Sequence, residues 1–165
     1  MSHLCISSCP TQVLLPSLFE YGVAGILQPK MDYTASYCNF DCVICGQVCP
    51  SGAILPLDTE SKKLVQIGRA VFIKEDCVVV EKNKDCGACS EHCPTKAVSM
   101  VPYGQLVIPE VNDDLCIGCG ACEHACPAHP HRAIYVVGNS VHLTAQKPKS
   151  KKIKDSFDSN QDFPF

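Results

Sequence analysis

Apolar residues along this chain come in short runs separated by polar and cysteine-rich stretches. Residues 12–16 and 29–33 read as strands, as do 53–57, 64–74, 97–102, 105–111 and 133–137. Tyr103-Gly104 joins two of these runs and predicts a hairpin turn. The cysteine clusters fall between the runs. The order is therefore strand, cysteine loop, short helix, hairpin, cysteine loop, short helix, strand. This predicts an α+β fold built as two tandem modules. The expected division is a truncated module over residues 1–62, a complete one over 63–145, and a charged tail over 146–165 that is expected to be disordered. The polar stretch 58–63 marks the boundary between modules.

Composition adds one anomaly, fourteen cysteines in 165 residues. That density belongs to secreted disulfide scaffolds or to thiolate metal sites, and spacing separates them. The net charge is -3, and residues 1–146 hold nine basic and fourteen acidic side chains, which argues against nucleic acid as a partner. No apolar run approaches a membrane span, and no leader pattern opens the chain. There is no acid–base constellation, phosphate-binding glycine loop or flavin motif, so neither a small-molecule substrate nor a catalytic residue is expected.

Aligned on Cys-Pro, the cysteines form one repeated unit. Cys116, Cys119, Cys122 and Cys126-Pro127 follow C-x2-C-x2-C-x3-C-P without deviation. Cys38, Cys42, Cys45 and Cys49-Pro50 carry one extra residue in the first gap. In Cys77, Cys86, Cys89 and Cys93-Pro94 that gap grows to eight residues. Cys5 and Cys9-Pro10 keep only the closing half, with Ser2 where the preceding cysteine would fall. The motif runs off the start of the chain, which predicts a portion of a longer protein.

Three thiolates in a C-x2-C-x2-C loop wrap one 4Fe-4S cubane, and the cysteine before proline ligates the other cluster of a pair. Proline suits the first turn of the following helix, where its missing N–H costs nothing. Cysteines so close within one loop are poorly placed for disulfides. Structural zinc more often pairs two C-x2-C units, yet a zinc-stabilised structural protein stays open as an alternative. So does a radical-SAM fragment using Cys38, Cys42 and Cys45, although Cys49-Pro50 continues the other pattern and the chain is short for an added barrel.

Pairing neighbouring motifs gives Cys77, Cys86 and Cys89 with Cys126, and Cys116, Cys119 and Cys122 with Cys93. Cys38, Cys42 and Cys45 close with Cys9. Cys5 and Cys49 remain as ligands of an incomplete fourth cluster. A nested pairing, in which the second and third motifs exchange closing cysteines and the last exchanges with the first, would orphan Cys5 and Cys126 instead. A three-iron cluster on Cys86, Cys89 and Cys126 is the alternative if Cys77 does not ligate.

These motifs, with Cys93-Pro-Thr-Lys-Ala-Val and Cys49-Pro-Ser-Gly-Ala-Ile, resemble those of bacterial polyferredoxins built from two-cluster 4Fe-4S ferredoxin modules. Within that group residues 5–142 are most similar to the C-terminal ferredoxin portions of membrane-anchored proteins of the NapG/MauM type. The resemblance implies an electron carrier, alone or as a subunit of an oxidoreductase complex, that relays single electrons between redox partner proteins, with a membrane-bound donor. The expected placement is cytoplasmic, or membrane-associated if the chain is part of an anchored protein. His124, His129 and His131 are read as solvated or capping side chains, the aromatics Tyr21, Tyr33, Tyr37, Phe40 and Phe72 as packing around the clusters, and the lysines from 147 to 154 as a solvated tail.

Overall fold

The computed structural model describes residues 3–147. Its helices are single turns. None could persist alone, because nucleating a helix costs more than so few bonds return. Each therefore depends on the loops and strands around it.

The N-terminal part begins with α1 (Leu4–Ser7), followed by a small antiparallel pair, β1 (Leu14–Pro16) with β2 (Pro29–Met31). A one-turn 3-10 helix, Val23–Gly25, lies in the connection between them. Helix α2 (Ile44–Gln47) comes after the second cysteine loop. Residues 53–57, expected as a strand, form none: Gly52 turns the chain at φ +68°, and the backbone of Leu55 and Pro56 crosses Gly46 instead. A Cβ on Gly46 would stand 2.7 Å from the Leu55 carbonyl oxygen, so the close crossing needs a glycine there.

The polar stretch 58–63 is not a loose connection. Asp58 caps α3 (Thr59–Lys62) by accepting the Ser61 N–H at 2.9 Å, and the last residue of this helix, Lys62, is buried.

Beyond it, β3 (Val65–Phe72) alternates burial, with Gln66, Gly68 and Ala70 facing inward. Then follow α4 (Val78–Lys82), α5 (Ala88–Glu91), the hairpin of β4 (Val98–Tyr103) and β5 (Leu106–Val111), α6 (Ala121–Ala125) and β6 (Ile134–Thr144). Strands β3 and β6 pair antiparallel, so the two ends of this unit close on each other. The hairpin turn lies at Gly104-Gln105, one residue later than expected, because Gly104 supplies the positive φ of +63°. Strand β6 runs well past the expected residue 137, since its polar second half finds a partner in Val65 and Gln66.

The observed order of elements is α+β with three two-stranded sheets. Small residues dominate the core between β3, β6 and the hairpin: Ala70, Ala97, Val98, Ala128, Ala133 and Ile134 surround a set of buried cysteines. Among the described residues no helix is long and apolar enough to cross a membrane. The tail expected to be disordered lies, from residue 148 on, outside the described residues.

Candidate metal centre

The cysteines gather in three groups. In the first, Cys77, Cys86, Cys89 and Cys126 line one cavity together with Phe72, Val78, Pro109, Pro127, Ala133 and Ile134. Cys77 reaches it from the residue before α4, despite its long gap to Cys86. Burial, with the neighbouring Cys86 and Cys126 thiols, pushes the Cys89 thiol up to about 12.

The second group holds Cys93, Cys116, Cys119 and Cys122. Burial pushes the Cys119 thiol up to about 11, and it raises Cys122 further, with Cys119, Cys116 and Cys93 acting on it as like charges. Backbone amides point at this group: Ala70 N–H donates to the Cys116 sulfur at 3.4 Å, and Ala97 N–H to the Cys93 sulfur at 3.2 Å. Gln66 braces the same loop by donating to the carbonyls of Asp113 and Cys116, each at 2.6 Å.

Cys9, Cys38, Cys42 and Cys45 form the third group. Burial raises the Cys38 and Cys45 thiols, while the Lys62 ammonium opposes the rise at Cys38. At Cys9 burial also acts upward, but hydrogen bonds from Leu14, Thr11 and Val13 outweigh it and leave the thiol lowered.

Cys5 is buried beside Val13, Leu14 and Tyr33, in the same core against which Cys9, Cys38 and Cys45 pack. Cys49 is partly exposed, and the Ser51 hydroxyl at 3.5 Å and the Ile54 N–H at 3.4 Å bring its thiol down to about 7.

The second and third groups touch through the backbone. Cys38 N–H donates to the Cys119 carbonyl at 2.8 Å, and the buried Tyr33 hydroxyl donates to the Gly118 carbonyl at 2.8 Å. Cys38 and Phe40 pack against Ile117, Cys119, Ala121 and Ala145. Gly118, at φ +73°, lies so close to β3 that a Cβ would stand 2.5 Å from the Gly68 nitrogen. No spacing rule in the sequence announces this junction, nor the place of Lys62. The one signal available, the Cys-Ile-Gly-Cys glycine, shows that a tight turn occurs but not what approaches it.

His124 is half-buried in the last turn of α6: its ring lies 5.6 Å from that of Tyr37, and Nδ1 is buried without a partner among the described residues. His129 and His131 are exposed, as expected. Tyr33 packs at the junction, and Phe40 and Phe72 against cysteine-bearing cores, whereas Tyr21 and Tyr37 are exposed.

The donor set fits iron-sulfur clusters. Thiols in fours, wholly buried in the second group and partly buried in the third, with amides aimed at sulfur, are the environment in which thiolate ligands of a multi-iron group are held. Among the described residues no three His, Cys, Asp or Glu side chains converge as a single ion requires. A cubane spreads its irons over separate corners and needs its thiols held further apart.

Residues 82–129 match the family model of the 4Fe-4S dicluster domain. The match takes in seven cysteines, from Cys86 to Cys126, and starts after Cys77. The chain is 28% identical over 133 residues to the ferredoxin-type protein NapF of Escherichia coli (strain K12), which covers 80% of this chain and 73% of NapF. It is 32% identical over 131 residues to the methylamine utilization ferredoxin-type protein MauM of Methylobacillus flagellatus, covering 74% of this chain and 55% of MauM. With the ferredoxin-type protein NapG of Haemophilus influenzae the identity is 30% over 134 residues, covering 74% and 47%. The chain thus spans about half the length of MauM and NapG. Residues 82–129 thus match a 4Fe-4S dicluster domain, and most of the chain is similar to ferredoxin-type proteins.

Proposed function

We propose that this chain is a polyferredoxin that holds three 4Fe-4S clusters and relays single electrons among them. The ligands are Cys77, Cys86, Cys89 and Cys126 for one cluster, Cys93, Cys116, Cys119 and Cys122 for the next, and Cys9, Cys38, Cys42 and Cys45 for the third. When bound, the clusters supply one-electron redox chemistry at sites that the protein keeps from water. The chain supplies buried thiols, amide donors to sulfur and the short helices that bring each Cys-Pro cysteine to its neighbour's loop.

The observation that carries this reading is the cavity shared by Cys77, Cys86, Cys89 and Cys126. It favours exchange of closing cysteines between neighbouring motifs over the nested pairing, in which Cys126 would be orphaned. It also favours four ligands over a three-iron site. Cys9 stands near enough to Cys38 to act on its thiol, which supports a fourth ligand where a radical-SAM cluster would leave one iron open.

Residues 1–62 act as one module with a single four-cysteine site, and 63–145 as a module with two. Cys5 and Cys49 are ligands of an incomplete fourth cluster. The protein is a carrier without substrate chemistry of its own, and its partners are redox proteins, with a membrane-bound donor. It works in the cytoplasm, or at the membrane if the full-length protein is anchored.

Anaerobic purification followed by iron and sulfide quantification tests this reading. About twelve of each per chain, with interacting 4Fe-4S signals in the EPR spectrum after dithionite reduction, is the expected result. About eight iron would remove the third cluster, and stoichiometric zinc with little iron would overturn the electron-transfer function.

A further inference from the structure

Lys62 and Lys63 are adjacent in sequence and opposite in circumstance. At the surface, the Lys63 ammonium bonds Glu60 at 2.8 Å and Asp41 at 3.2 Å, and it lies 5.7 Å from the centre of the Phe40 ring. Lys62 is only 8% exposed, and among the described residues no carboxylate pairs with it. Its helix end packs on the Cys38 loop instead, with Lys63 paired to Asp41 and Ala145, bonded to Leu64, packed beside Cys38 and Phe40, and the Lys62 charge acts on the Cys38 thiol. A buried cation without a counter-charge is costly, so the anion that justifies its place is the thiolate group it faces. The lysine is also held in place: Asp58 caps its helix, and just beyond it the Leu64 carbonyl accepts the Ala145 N–H at 2.7 Å.

Among the described residues the neighbouring group has no such buried cation beside it: the Asp113 carboxylate near Cys116 is exposed and paired with Arg69 at 3.5 Å. Reduction adds one negative charge to an iron-sulfur site. In a low-dielectric interior a fixed cation favours that state, and a fixed anion disfavours it.

We propose that Lys62 is a tuning residue that raises the reduction potential of the site on Cys9, Cys38, Cys42 and Cys45. One electron enters the site from a reduced mediator or from the adjacent reduced site; no bond forms or breaks and no proton moves. The inference rests on the three-cluster reading above, which wild-type iron content tests separately.

The test is an EPR-monitored redox titration of the anaerobically purified holoprotein with one-electron mediators and dithionite. Wild type is compared with Lys62→Gln and Lys62→Arg, and the signal missing from Cys42→Ser assigns the third cluster. Lys62→Gln should shift that cluster's potential to more negative values and leave the other two unmoved, while Lys62→Arg, which keeps the charge, should restore it. Loss of that cluster from Lys62→Gln but not from Lys62→Arg would also report the charge and support the proposal. Three potentials unmoved in a fully loaded Lys62→Gln protein would overturn it. Equal shifts or equal cluster loss in both variants would overturn it too, by making packing and not charge the cause.

Discussion

The backbone N–H of Cys38 donates to the carbonyl of Cys119 at 2.8 Å, which joins a cysteine of the third group to a cysteine of the second by one hydrogen bond. The two residues are far apart in sequence, and their side chains pack in the same small core with Ile117, Ala121 and Phe40. Tyr33 seals the same point from the side by donating to the Gly118 carbonyl.

Replacing Tyr33 by Phe keeps the ring and removes that hydroxyl. A buried carbonyl left without its donor should cost about 1–3 kcal/mol. The expected outcome is a lower thermal midpoint for bleaching of the visible cluster absorbance, with full iron content before heating. An unchanged midpoint would show that the bond does not hold the junction.

Gly118→Ala should be far worse than Gly104→Ala, although both glycines have positive φ. At Gly118 the new Cβ would meet the Gly68 backbone at 2.5 Å, whereas at Gly104 nothing lies within 4 Å. Gly104→Ala should keep all its iron and lose about 1 kcal/mol to turn strain. Gly118→Ala should emerge with at least one cluster missing, about four irons per chain.

Pairing of motifs can be read from single serine substitutions. Cys9→Ser should remove one cluster's iron, while Cys49→Ser should leave iron unchanged. If Cys49→Ser loses a cluster and Cys126→Ser does not, the nested pairing holds instead.

Cys49 should be the fast thiol of the loaded protein. Its hydrogen bonds to Ser51 and Ile54 lower it to about 7, so the reactive thiolate grows as pH rises through that value. Alkylation of intact protein by iodoacetamide is expected to label one cysteine quickly, with half-maximal rate near pH 7, and Cys49→Ser should abolish it. Buried Cys5 should react slowly.

Cluster assembly should release protons. Burial raises the thiols of Cys89, Cys119 and Cys122, so without iron they are protonated at neutral pH and must deprotonate to ligate. The sign follows: cluster binding strengthens as pH rises toward these raised values and weakens as pH falls. Reconstitution in weakly buffered dye solution should show acidification, and chelator-driven iron loss should accelerate on lowering pH.

Much of this was legible from residues alone. The C-x2-C-x2-C-x3-C-P repeat identifies the cofactor class, because only a few loop lengths bring three thiolates to one cubane. The apolar runs around the motifs located β3, the β4–β5 hairpin and the start of β6. Local spacing and alternation are short-range properties, and they survive without knowledge of what lies opposite. Residues 53–57 misled for the same reason: their apolar pattern says strand, but the Gly46 crossing leaves no partner to pair with.

Tertiary structure decided what depends on neighbours distant in the chain. It brought Cys77 into one cavity with Cys126, which the long gap after Cys77 could not promise. It also turned a polar stretch that read as a boundary into a capped helix ending on a buried lysine. Burial and counter-charge are set by whatever fills the space around a side chain, so two adjacent lysines of identical chemistry end as a surface ion pair and as a cation buried against a thiol.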